Sequence, residues 1–137
     1  MTTFSGSFTG KTTWQTTASI PDRANHELGL VEISGTQTST DPQWNEAAIT
    51  YWGTADLMDG SGVQRGYFLN VDAAGDRNSG RFEGKITTAG AQVTLAGTWQ
   101  FIGGTGKFAG ITGQGTYQGR MTSPTEVSTS WEGEYHR

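Results

Sequence analysis

The stretch from residue 93 to 118, V-T-L-A-G-T-W-Q-F-I-G-G-T-G-K-F-A-G-I-T-G-Q-G-T-Y-Q, constrains the fold more than any other part of the chain. It starts as an alternating strand, breaks on a cluster of glycines and resumes as a second alternating strand. Alternation of period two puts apolar side chains on one face of a sheet and polar ones on the other. The intervening glycines supply the tight corner that returns the chain, so the unit predicts a twisted, closed β architecture.

The same period recurs along the whole chain. Residues 8–16 place Phe8, Gly10, Thr12, Trp14 and Thr16 on one face. The following segment, with Pro21-Asp22-Arg23-Ala24-Asn25, reads as a loop because Pro lacks a ladder donor and Asp and Asn favour turns. Residues 27–35, E-L-G-L-V-E-I-S-G, admit two registers. One turns Leu28, Leu30 and Glu32 inward, and the other turns Val31 and Ile33 inward with Glu32 in water. The polar stretch 36–46 reads as a surface loop over one end, with Trp44 as a lid. Residues 48–57 bring Ile49, Tyr51, Gly53, Ala55 and Leu57 into phase, and Asp59-Gly60-Ser61-Gly62 is a hairpin signal, its glycines supplying the positive φ of short antiparallel turns. Residues 64–72 return with Tyr67, Leu69 and Val71 on one face, and a turn follows through residues 74–80.

In the second half, residues 81–87 put Phe82, Gly84 and Ile86 inward, and residues 91–101 align Val93, Leu95, Gly97, Trp99 and Phe101. After the glycine corner, Gly113, Gly115, Tyr117, Gly119 and Met121 share a face. Ser123-Pro124 turns the chain for the last time, and residues 127–135 align Val127, Thr129, Trp131, Gly133 and Tyr135. This makes about eight strands, mostly short connections and no helical period. Antiparallel strands must hide two edges, and closure does so. The reading is an all-β chain, one domain over residues 1–137, forming an eight-stranded antiparallel closed β-barrel, with a two-sheet sandwich as the competing arrangement. Barrels of eight strands are filled by side chains or hold one small ligand. The inward-phase glycines favour the barrel because they permit sharp coiling and free interior volume.

Composition agrees. Only 33% of residues are hydrophobic, and the balance is made up by 21 Gly and 22 Thr, which suit turns and pleated surfaces. Cysteine is absent, which removes disulfides, thiol catalysis and thiolate metal sites. A net charge of −4 without blocks of either sign argues against a nucleic-acid partner. No apolar run reaches membrane-spanning length and the first residues lack a signal-peptide pattern, so the expectation is a cytoplasmic protein with no membrane partner.

Few residues carry chemistry. Gly103-Gly104-Thr105-Gly106-Lys107 looks superficially like a phosphate-binding loop, yet the positions that need Gly and Ser or Thr hold Phe101 and Phe108. It reads as a corner between strands. The histidines His26 and His136 stand apart near strand ends and make no metal site. Glu32 is the one carboxylate that a plausible register buries among apolar neighbours. There its pKa would rise and it could act as acid or base; in the other register it is an exposed strand glutamate. Trp14, Tyr51, Tyr67, Trp99, Tyr117, Trp131 and Tyr135 form the expected inward aromatic set. Buried indole N–H and phenol O–H groups need partners, so these rings either fill the core or line a ligand cavity that supplies them.

The run Phe101-Ile102-Gly103-Gly104-Thr105-Gly106-Lys107-Phe108-Ala109-Gly110-Ile111-Thr112-Gly113 resembles the G-G-[ST]-G-x-F-x-x-x-x-G signature shared by allene oxide cyclases and dirigent proteins. The pattern over residues 80–119 is similar to small bacterial proteins of that superfamily. The likeness covers roughly residues 64–120 and is weak before residue 60. It implies an allene oxide cyclase-like or calycin-like barrel with a ligand cavity at one end, often in a dimer or trimer. Some relatives cyclise or isomerise hydrophobic small molecules and others steer radical coupling. Such cyclases hold a reactive chain in a productive shape with help from a carboxylate and a water. Their Glu, Asn and Cys site residues have no placeable counterpart here. The expected partner is therefore a hydrophobic small molecule, bound by a templating cyclase or isomerase without a cofactor, or by a non-catalytic carrier. A third class is a structural oligomer whose exposed Trp44 and Trp52 face other subunits.

Overall fold

A computed structural model describes all of residues 1–137. The strands are β1 (Thr2–Ser19), β2 (His26–Ser39), β3 (Ala48–Met58), β4 (Ser61–Val71), β5 (Arg77–Ala89), β6 (Gln92–Gly104), β7 (Thr112–Ser123) and β8 (Glu126–His136). Each pairs antiparallel with its sequence neighbours, and β8 returns to β1, so the meander is a closed barrel and not a sandwich. The one helical element is a 3₁₀ turn at Gly106–Phe108. No helix is long and apolar enough to cross a membrane.

Local chemistry sets the corners. Asp59 and Gly60 form the two-residue turn between β3 and β4, with φ of 54° and 81°, as a type I′ hairpin requires. Closure is complete only over part of β1. Its pairing with β8 runs from Thr2 to Lys11, while its pairing with β2 continues to Ser19. Beyond the end of β8, the β1–β2 hairpin extends past the barrel and one edge of residues 14–19 has no strand beside it.

Two ring placements differ from the expectation. Thr12 pairs with Ile33 and Trp14 with Glu32, so Thr13 is an extra residue, a β-bulge. One inserted residue reverses the alternation of everything after it, and Trp14 points outward, 51% exposed. Tyr67 lies opposite Trp52 on the outer face of β3–β4 and is 59% exposed. Both faces of β4 carry apolar side chains, so alternation alone does not say which is inner; Gln64, Phe68 and Asn70 are the residues that turn inward. In β2 the second register holds, with Ile33 buried and Glu32 outside.

The core has two parts. Around Phe4, Trp99 and Phe101 the rings meet mostly edge to face, Phe4 with Trp131 at 4.9 Å and Trp99 with Phe101 at 5.0 Å between centroids. Toward the other end, Ile33, Leu95 and Val127 form a smaller aliphatic layer. Interior glycines make room for the rings and leave little of that room free. A Cβ on Gly115 or Gly133 would lie 2.6 Å from Cζ2 of Trp99, and one on Gly84 would lie 2.5 Å from the Tyr117 hydroxyl. The volume vacated by glycine is occupied by the neighbouring ring.

Candidate functional site

One end of the barrel is stoppered. The β2–β3 loop folds Trp44 inward, only 1% exposed, against Phe4 at 4.7 Å and Tyr135 at 4.6 Å. Asp41 holds the loop. Its carboxylate accepts from the Gln43 amide at 3.0 Å and from the Tyr135 hydroxyl at 2.8 Å, and its carbonyl accepts from the Trp44 amide. Trp44 is therefore a fixed plug, and it cannot serve as an exposed subunit contact. The glycine corner supplies the second stopper, Phe108, which is fully buried. Thr105 exchanges bonds with Arg77, Lys107 pairs with Asp72, and Gly106 adopts φ 57° beside the Asp76 carboxylate. Thr105, Gly106, Lys107 and Phe108 of the G-G-T-G-K-F corner thus each have a structural task, in keeping with its reading as a corner.

At the opposite end the inward Val31, Ile86 and Met121 are only half-buried, so this end is less tightly sealed than the plugged one. Between the two ends lies a cavity of about 90 Å³. Its wall is mainly apolar, with Phe8, Phe68, Phe82, Leu95 and Trp99 prominent. The polar lining is Gln37, Gln64, Asn70, Thr129 and the Tyr51 and Tyr117 hydroxyls, together with the Trp indoles; no charged side chain takes part. An engineered cavity of about 150 Å³ binds benzene, so this space suits a compact molecule of a few heavy atoms.

Five of the seven expected ring residues, Tyr51, Trp99, Tyr117, Trp131 and Tyr135, do face inward, and Trp14 and Tyr67 do not. Four of the five have their polar atoms satisfied by protein. Trp131 Nε1 donates to Gln37 Oε1 at 2.9 Å, Gln37 Nε2 to Asn70 Oδ1 at 3.1 Å, and Asn70 Nδ2 to Asn78 Oδ1 at 2.9 Å, a buried chain of amides. Trp99 Nε1 donates to the Thr116 carbonyl, Tyr135 to Asp41, and Tyr117 to Gln64 Oε1 at 2.8 Å. Tyr51 alone makes no hydrogen bond to protein. Burial pushes its pKa up, as it does that of Tyr117, so both phenols stay protonated in neutral water. Tyr135 is raised to about 12, by desolvation first and then by Asp41.

Glu32 stands on the outer wall, away from the cavity. Its carboxylate accepts from Thr13 Oγ1 at 2.8 Å and Trp52 Nε1 at 2.7 Å, and these bonds lower its pKa. That is the reverse of the shift a buried general acid would show. The inward amides Gln37, Gln64 and Asn70 escaped the sequence reading because aromatic alternation was the signal followed. The in-phase spacing of Gln64, Phe68 and Asn70 in β4 marks two of them; Gln37, in β2, has no such signal. No three His, Asp or Glu side chains stand together as a metal ligand set.

Compared with known proteins, the chain matches no protein-family model and no curated protein. The class is thus defined by the fold and the cavity alone: an antiparallel eight-stranded meander barrel, plugged at one end, with a small apolar chamber inside.

Proposed function

We propose that the protein is a small-molecule-binding barrel that takes a compact hydrophobic ligand through the less tightly sealed end, between Val31, Ile86 and Met121. The observation that carries this reading is the apolar chamber between the Trp44–Phe108 plug and that end. The closed barrel and the G-G-T-G-K-F corner support kinship with the allene oxide cyclase and dirigent barrels. The chamber's modest volume favours a ligand much shorter than an extended fatty-acyl chain. A cytoplasmic setting fits an outer wall carrying Lys11, Glu83 and Lys85, since a lipid-facing barrel shows an apolar outer band. The test is saturable quenching of tryptophan fluorescence by compact cyclic hydrocarbons, with Leu95→Trp as a variant that fills the chamber. Binding by the wild type that disappears in Leu95→Trp supports the reading; equal response in both proteins overturns it.

Carrier and templating enzyme are separated by the fate of the ligand. An unsaturated ligand recovered unchanged after saturation identifies a carrier, and a cyclised or isomerised product identifies an enzyme. Self-association is a second reading, favoured by the outward row of Trp14, Trp52 and Tyr67 beside the unpaired edge of β1. It is tested by sedimentation of the wild type and Trp14→Lys: a dimer or trimer that dissociates in the variant supports it, and a wild-type monomer at high concentration excludes it.

A further inference from the structure

We infer that the ligand of this barrel is neutral and carries an acceptor oxygen, a ketone, aldehyde or ester carbonyl, that takes the Tyr51 hydroxyl proton in a hydrogen bond with the Gln64 amide alongside. The inference rests on the chamber being a ligand site, and it adds the chemistry of what fits there.

The argument is an account of donors and acceptors. Every side-chain amide oxygen in or behind the chamber is already engaged: Gln37 Oε1 by Trp131, Asn70 Oδ1 by Gln37, Asn78 Oδ1 by Asn70, and Gln64 Oε1 by Tyr117. The donors are not used up. The Tyr51 O–H bonds to nothing in the protein, and the Gln64 Nε2 hydrogens have no protein partner either. Each amide oxygen already holds one donor, whereas the Tyr51 O–H and the Gln64 Nε2 hydrogens hold no acceptor and the Thr129 hydroxyl, also without a protein partner, can give or take a hydrogen, so the balance favours a molecule that brings acceptors. Tyr51 sits between Phe8 and Phe82, at 6.1 and 5.5 Å between ring centroids, so its hydroxyl has an apolar surround in which an unmatched donor is costly and a matched one effective.

Charge decides the rest. With no Lys, Arg or His in the lining, a carboxylate would shed its water without gaining a counter-ion, and with no Asp or Glu the same holds for an ammonium. A buried phenol kept protonated donates well to a neutral carbonyl. The ring of such a molecule lies against Phe82 and Leu95, its oxygen toward Tyr51.

Matched ligands test this on the full chain. Cyclobutanone and methylenecyclobutane, both smaller than benzene, have nearly the same shape and differ in C=O against C=CH₂. The wild type is expected to bind the ketone about tenfold more tightly, the value of one buried hydrogen bond. Tyr51→Phe should remove that preference while leaving the hydrocarbon's affinity in place. Equal affinity of wild type for the two, or a preference that survives in Tyr51→Phe, overturns the inference and leaves the chamber as an apolar binding site. Because the first comparison uses wild type alone, it stands even if the variant folds poorly. Cyclopropanecarboxylate binding as tightly as cyclopropyl methyl ketone, of the same size, overturns the claim of neutrality. Failure of both cyclobutanone and methylenecyclobutane to bind counts against the chamber as a ligand site altogether, and with it this inference.

Discussion

The ammonium of Lys107 lies 2.5 Å from a carboxylate oxygen of Asp72, joining the glycine corner after β6 to the turn between β4 and β5. Asp72 also accepts the amides of Ala74 and Asp76 at 3.0 Å each. The pair therefore fastens two of the three connections at the plugged end, and Phe108 is buried next to it.

The corner should respond to substitution as a structural element. Gly106→Ala places a Cβ at φ 57° and against the Asp76 carboxylate. It should cost at least about 1 kcal/mol from backbone strain, seen as a lower midpoint in urea unfolding. Lys107 holds the Asp72 pKa below its ordinary value. A carboxylate with a depressed folded pKa contributes stability that is present above its unfolded value and lost as pH falls through the folded one. Lys107→Ala should therefore narrow the stability difference between pH 7 and pH 3; an unchanged pH profile would count against the pair's role.

Interior glycines should divide by what lies over them. Gly115→Ala drives a methyl against both the Glu132 carbonyl and the Trp99 ring and should destabilise by about 1–3 kcal/mol through overpacking. Gly103→Ala meets nothing within 4 Å and has no positive φ, so its unfolding midpoint should match wild type. Equal effects of the two would contradict the ring-over-glycine packing.

The amide chain should behave as a unit. Asn70→Ala leaves Gln37 Nε2 and Asn78 Oδ1 without partners inside the barrel and should cost about 3 kcal/mol, one to two unsatisfied buried groups. Trp131→Phe frees only Gln37 Oε1 in the chain but also loses one ring of the indole, and should cost about as much, part of it as a cavity. Denaturant titration of both variants and their double mutant measures the coupling.

At the less tightly sealed end, His26 bridges two carboxylates, Nδ1 to Asp22 and Nε2 to Asp56, each at 2.6 Å. Hydrogen bonds donated to both carboxylates, Asp22 first, raise its pKa above the ordinary histidine value. A raised histidine stabilises fully below its unfolded pKa, and that contribution is lost as pH climbs through the folded pKa. Stability should accordingly fall on going from pH 6 to pH 9 in the wild type, and His26→Gln should flatten the curve. A variant with the wild-type pH profile would show that the bridge contributes nothing.

The sequence by itself determined the number of strands, the antiparallel meander, the Asp59-Gly60 hairpin and the glycine corner, because each depends on contacts within a few residues: alternation, turn dihedrals, the positive φ that glycine tolerates. It also brought forward Trp99, Tyr117, Trp131 and Tyr135 as inward rings. Tertiary structure decided what local pattern leaves open. Period two separates two faces without saying which is inner, so Tyr67 was assigned inward although Phe68 and Asn70 hold that place, and the single extra residue Thr13 sent Trp14 outside. Glu32 was settled by its cross-strand neighbours Thr13 and Trp52, which are remote in sequence. The chamber too belongs to the assembled barrel alone: its volume is the small remainder after the inward rings have packed over one another's glycines, and Tyr51 is the phenol left unpaired only once the other rings have found their partners.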